Sequence, residues 1–250
     1  MKRAFYIALS MLLAAPAFAA DAEKKTTAEL TDPIEILKKM DAAAKAVKSV
    51  AYDIEFKASG DLVKHTAQGK GSVLMTGWTG RLPKQFLIDV TGVKPGATAA
   101  QHVTGGTDGE NYFLIDYAQK IAHEDIDPNV MGTGGQLIGA ALMPEFVHEA
   151  PFSDEINGKN QKLTGSEKVD DVDCYVITLS YTNAPQTSTW FVGKQDFLPR
   201  QRVDHLDQLP YGKGEITKTI TRLVVDPNLD DDAFALKVPE GFKKTDDFAP

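Results

Sequence analysis

The chain has 250 residues, 42% of them hydrophobic and 25% charged, with 20 Gly, 13 Pro and one Cys. This globular composition excludes a collagenous, a disulfide-rich or a wholly disordered chain. The net charge is −8, two units more negative once Lys2 and Arg3 are gone, so the clustered cations needed for nucleic acid or for an anionic membrane surface are missing.

Met1-Lys2-Arg3, an apolar run from Ala4 to Phe18 and the small-x-small end Ala17-Phe18-Ala19 form a secretory signal of bacterial type, with cleavage expected after Ala19. The run is shorter than the roughly 20 apolar residues of a spanning helix, and no Cys follows it for lipidation. The expectation is a periplasmic protein without stable membrane insertion. Residues 20–31 read as a flexible leader and 32–250 as a single domain.

Asp32-Pro33-Ile34-Glu35 opens a helix. Asp32 suits the cap, Pro33 the first turn, and Glu35 the acid that reaches back. Ile34, Leu37, Ala44 and Val47 recur at helical spacing to about Ser49. The period then changes to 2. In 50–58, Val50, Tyr52, Ile54 and Phe56 alternate with Asp53, Glu55 and Lys57, the pattern of a half-buried antiparallel strand. Further strands are expected at 62–76, 84–91, 100–104, 111–116, 120–126, 173–181, 187–193, 199–205 and 214–225. Strands returning without helices between them give one antiparallel sheet rather than βαβ units.

Residues 132–148 interrupt that sheet. Gly132-Thr-Gly-Gly135 precedes an uncharged stretch, and Leu137, Ile138, Ala141, Leu142, Met143, Phe146 and Val147 cover most of its circumference. Such a helix must be buried or must cover something apolar, and Pro144 breaks it in two. Both a mobile flap and a core helix plugging one end of the sheet fit.

Sites of catalysis are not evident. The five histidines show no metal-ligand spacing, and Asp204 and His205 alternate to opposite faces. Asp230-Asp-Asp232 lacks the pattern of a calcium loop. There is no Gly-x-Ser-x-Gly elbow, and the 132–139 glycines lack the Lys-Ser/Thr of a phosphate loop. Cys174, in an apolar strand beside Asp173 and Tyr175, reads as a small buried hydrophobe rather than a nucleophile. No enzyme, cofactor or metal is expected.

The order of several short pieces resembles a known family: the helix and strand 50–58, Gly69-Lys-Gly-Ser-Val-Leu-Met75, Arg81-Leu-Pro-Lys-Gln-Phe-Leu-Ile-Asp89, 107–117, Thr189-Trp-Phe-Val-Gly-Lys-Gln-Asp-Phe-Leu-Pro-Arg200, 225–234 and Val238-Pro-Glu-Gly241. The chain is similar to the outer-membrane lipoprotein carrier (LolA-like) superfamily, in its uncharacterised predicted periplasmic branch. The resemblance implies an α+β fold, a strongly curved antiparallel sheet (an incomplete β-barrel) with helices packed on its open concave side. Between them it implies an apolar cavity for acyl chains of a lipid or lipoprotein. Carriers of this family open one strand with Arg-Pro, and that Arg helps to latch the lid. Here Leu82 separates Arg81 from Pro83, and a solvated loop role for Arg81 stays open.

On this reading Tyr52, Ile54, Phe56, Phe86 and Ile88 form the ligand wall, with Trp190 from the far side. Leu137, Leu142, Met143 and Phe146 close over it. The ligand is a hydrophobic small molecule, lipid or lipoprotein. The alternative is a regulatory protein of the same fold that receives a segment of an envelope protein in its concave face.

Overall fold

The computed structural model describes residues 29–80, 82–182, 184–208, 212–230 and 232–250. The signal segment, most of the leader and Arg81 lie outside the described residues. Residues 29 and 30 are tied down: Glu29 pairs with Lys194, and the Leu30 amide donates to the Tyr175 hydroxyl at 3.2 Å.

Helix α1 spans Pro33–Ala46. Asp32 caps it, its carboxylate accepting the Ile34 amide proton at 2.9 Å, and Pro33 fills a position whose amide would be unpaired anyway. Glu35 lies along the helix, 3.9 Å from Lys39 Nζ, rather than back toward the cap. The buried stripe is Ile36, Leu37, Met40 and Ala44. Ile34 and Val47 are only half-buried, so the apolar face is rotated from the one expected. The helix also stops short of Ser49, because that residue already belongs to the first strand.

Among the described residues, twelve strands form one open sheet. A first meander runs through β1 (Ser49–Ala58), β2 (Gln68–Trp78), β3 (Pro83–Val93), β4 (Gln101–Thr107), β5 (Tyr112–Asp116) and β6 (Ile121–Asp125). A second runs through β7 (Lys159–Val169), β8 (Val172–Ser180), β9 (Thr187–Gly193), β10 (Pro199–Gln208) and β11 (Gly212–Val225). The two join where β11 pairs antiparallel with β1, from Val50 opposite Val225 to Ala58 opposite Ile216. A short β12 (Lys243–Thr245) adds in parallel to β6. The architecture is the one that the resemblance implied.

Two sequence expectations need correction. The strand expected at 62–76 begins only at Gln68, because Gly60–Lys64 is a 3-10 turn. β7 has no counterpart among the expected strands. Its sequence KNQKLTGSEKV is polar because it is an edge strand with mostly exposed side chains, so it carries no alternation to read.

The topology explains why something must cover the concave face. β6 and β7 stand ten strand positions apart in the sheet, roughly 50 Å measured along it. The connection between them, residues 126–158, therefore has to cross the mouth. It does so as a 3-10 turn (Pro128–Gly134), helix α2 (Gly135–Ala141), a second 3-10 turn (Pro144–Phe146) and a single helical turn α3 (Ser153–Ile156). Two glycines let α2 settle deeply. A Cβ on Gly92 would lie 2.8 Å from Leu137, and one on Gly105 2.9 Å from Ile138.

Candidate functional site

All ten side chains expected to line a ligand site come together in one cluster between sheet and cover. None is more than 8% exposed, and Ile36, Leu37 and Met40 of α1 pack in the same cluster. The space that the resemblance assigned to a cavity is thus occupied by side chains, at the close packing usual for an interior. Tyr52 and Phe146 lie ring to ring at 5.5 Å, and Phe152 meets Trp190 edge-on at 5.3 Å.

The cover is also held by polar ties: Tyr52 of the expected set bonds the backbone of Ala141 and Met143, and further ties come from residues outside that set. Strand register places Phe56, Lys218, Arg202, Trp190 and Ile177 side by side in one concave row. Two cations therefore stand in the middle of an otherwise apolar row. Lys218 Nζ donates to the Leu142 carbonyl at 2.8 Å. Arg202 donates from Nη1 to Glu145 Oε1 at 3.2 Å and from Nε to Asp204 Oδ1 at 2.8 Å. Its guanidinium sits 5.0 Å from the centroid of the Trp190 ring, a cation–π distance. Asp204 also accepts from the Ser188 hydroxyl. Glu145 Oε2 and Trp190 Nε1 are buried without a hydrogen-bond partner among the described residues.

Burial dominates the electrostatics. It pulls the Lys218 ammonium below its ordinary pKa, against the opposing pull of Glu145. It acts likewise on Arg202, but Asp204, then Tyr181 and Glu145, outweigh it and hold the guanidinium above its usual value. Burial raises the Glu155 carboxyl although the Tyr181 hydroxyl donates to it at 2.8 Å. Taking such charges out of water costs several kcal/mol per ion unless partners compensate. A plain structural wall would use leucine.

Beside this seam a cleft of about 620 Å³ opens to solvent between the cover and β8–β10, within the usual range of small-molecule sites. Pro144, Glu145, Pro151 and Glu155 line it from the cover, Tyr181 and Arg202 from the sheet side. A signal for Lys218 is present in the sequence. In 216–220, Ile216 and Ile220 flank Lys218 at a spacing of two, which puts a charge in the inward phase of a strand.

The remaining residues weighed from the sequence fall elsewhere. Cys174 is fully buried on the other side of the sheet, against Val169, Val176 and Phe191, and burial raises its thiol pKa. Asp204 and His205 do part company: His205 bonds Glu215 at 3.0 Å instead. Among the described residues no group of three or more metal-ligating side chains gathers, and no helix is long and apolar enough to cross a membrane.

No family model matches the chain, nor does any curated protein sequence. Solved structures similar to it include MucB, at 13% identity and a TM-score of 0.49, covering 81% of this chain and 62% of that one. The chain therefore spans about three fifths of the MucB chain. The lipoprotein LppX of Mycobacterium tuberculosis is similar at 12% identity and a TM-score of 0.48, over 80% of this chain and 98% of LppX. A LolA superfamily protein of Nitrosomonas europaea is similar at 14% identity and a TM-score of 0.32, over 83% and 99%. What the protein does has to be read from its own residues.

Proposed function

We propose that the protein is a non-enzymatic binding protein of the periplasm, exported through a signal peptide and working as the single domain 32–250. It holds the apolar part of a lipid or lipoprotein between the half-barrel and the 126–158 cover. One observation carries this reading. A continuous segment lays its apolar side chains across the concave face, while its polar ties to the sheet are scattered single contacts, from Tyr52, Lys218 and Arg202 at the middle and from Tyr181 and Lys94 at the rim.

The magnitudes permit an exchange. Each large apolar side chain of the cover gains about 1.5–3 kcal/mol from burial, and each CH₂ of an acyl chain about 0.8 kcal/mol. An acyl chain of about fourteen carbons therefore balances the withdrawal of roughly five such side chains. Gly132, with φ at 49°, and Gly134-Gly135 supply the pivot.

Native mass spectrometry after gentle extraction, joined to titration with a fluorescent fatty acid, tests the reading. Co-purified lipid and saturable one-to-one binding support it, with faster amide exchange in α2 when ligand is bound. Absence of both lipid and binding overturns it, and a co-purified protein segment in their place identifies the regulatory alternative.

A further inference from the structure

The chemistry of the polar seam extends this reading from the ligand's tail to its head. Three charged side chains belong to the stationary wall: Arg202, Asp204 and Lys218, on adjacent strands β10 and β11. Their sum is one positive charge. What completes them belongs to the cover: the Glu145 carboxylate on Arg202 and the Leu142 carbonyl on Lys218. Asp154 and Glu155, the other carboxylates at the cleft, are on the cover too. When the cover lifts it takes all these acceptors with it. Once an apolar tail has replaced the cover, the wall keeps a buried cation with no partner, a state that costs several kcal/mol.

We propose that Arg202 and Lys218 are the head-group site for a long-chain carboxylate, whose anion takes the place of Glu145 on Arg202 and of the Leu142 carbonyl on Lys218. The cover's own glutamate marks the group that fits, since a guanidinium donates to a carboxylate in a fixed planar geometry. Glu145 holds the place imperfectly, because its Oε2 is buried without a donor among the described residues. A free carboxylate reaching both cations satisfies both of its oxygens. The alkyl chain then runs along the same concave row onto Trp190 and Ile177. This inference rests on the proposed apolar binding.

The test titrates the full protein with dodecanoate, its methyl ester and dodecylammonium, following tryptophan fluorescence. Dodecanoate is expected to bind about tenfold tighter than the ester, the worth of one charge-assisted hydrogen bond, with dodecylammonium the weakest. Arg202→Gln and Lys218→Met are expected to bring dodecanoate down to the ester's level. Glu145→Gln removes the competing carboxylate and is expected to tighten dodecanoate several-fold. Equal binding of acid and ester, or a preference for the ammonium, overturns the head-group site and leaves apolar binding standing. Failure of all three to bind overturns both. Should Arg202→Gln or Lys218→Met fail to fold by circular dichroism, Glu145→Gln decides alone, and an unchanged dodecanoate affinity in it refutes the site.

Discussion

The hydroxyl of Tyr52 on β1 accepts the amide proton of Met143 on the cover at 2.8 Å, and donates its own to the Ala141 carbonyl at 3.1 Å. Tyr52 is fully buried, so one side chain pairs the two backbone groups where α2 ends and the chain turns toward Pro144. Helix ends leave such groups unpaired unless something reaches them.

Tyr52→Phe keeps the ring against Phe146 and strands both backbone groups. The expected loss is about 2 kcal/mol of stability. Hydrogen exchange at the Met143 amide should accelerate far more than exchange in β3. Uniform acceleration throughout the molecule would mean that the hydroxyl stabilises the whole fold rather than pinning the cover.

Gly105→Ala sets a methyl 2.9 Å from Ile138, and β4 cannot retreat because β3 and β5 hold it on both sides. Overpacking of this kind costs about 1–3 kcal/mol. Adding Ile138→Val removes Cδ1, one of the two Ile138 atoms at that distance, and should recover part of the loss in a denaturation series. Strict additivity of the two changes would show that α2 does not sit on β4 in solution.

Glu155→Gln probes the raised carboxyl. A group whose folded pKa is raised contributes stability that is full below its ordinary value of 4.5 and lost as pH rises through the folded pKa. The glutamine variant lacks that loss and keeps an acceptor for Tyr181. Its melting temperature should therefore gain on the wild type as pH goes from about 4.5 to about 8. A difference that stays constant over that range would place Glu155 in solvent.

Cys174 supplies a probe of global opening. With its thiol buried and its pKa raised by burial, labelling by a thiol reagent should follow global unfolding in denaturant and remain indifferent to ligand. Rapid labelling of the native protein would contradict the packing of Cys174 against Phe191. Cys174→Ala trims a small buried group and should cost about 1 kcal/mol.

Local rules wrote much of this protein legibly. The Asp32–Pro33 cap, the alternation in 50–58, the break at Pro144 and the apolar stretch 137–147 all follow from neighbours a few residues apart, because helical and strand periodicity are properties of the local chain. β7 escapes such rules because an exposed edge strand need not alternate. The buried face of α1 escapes them because Ile34 and Ile36 are equally apolar, and only the sheet beneath selects between them. The polar seam depends on more. Lys218 and Arg202 are inward-facing by the phase of their strands, but their nearness to each other, to Phe56 and to Glu145 follows from β11 pairing with both β1 and β10 and from the cover crossing the mouth. The β1–β11 pairing joins residues as distant in the chain as Val50 and Val225. It is settled by burying one shared concave face, a requirement that no short stretch of sequence contains.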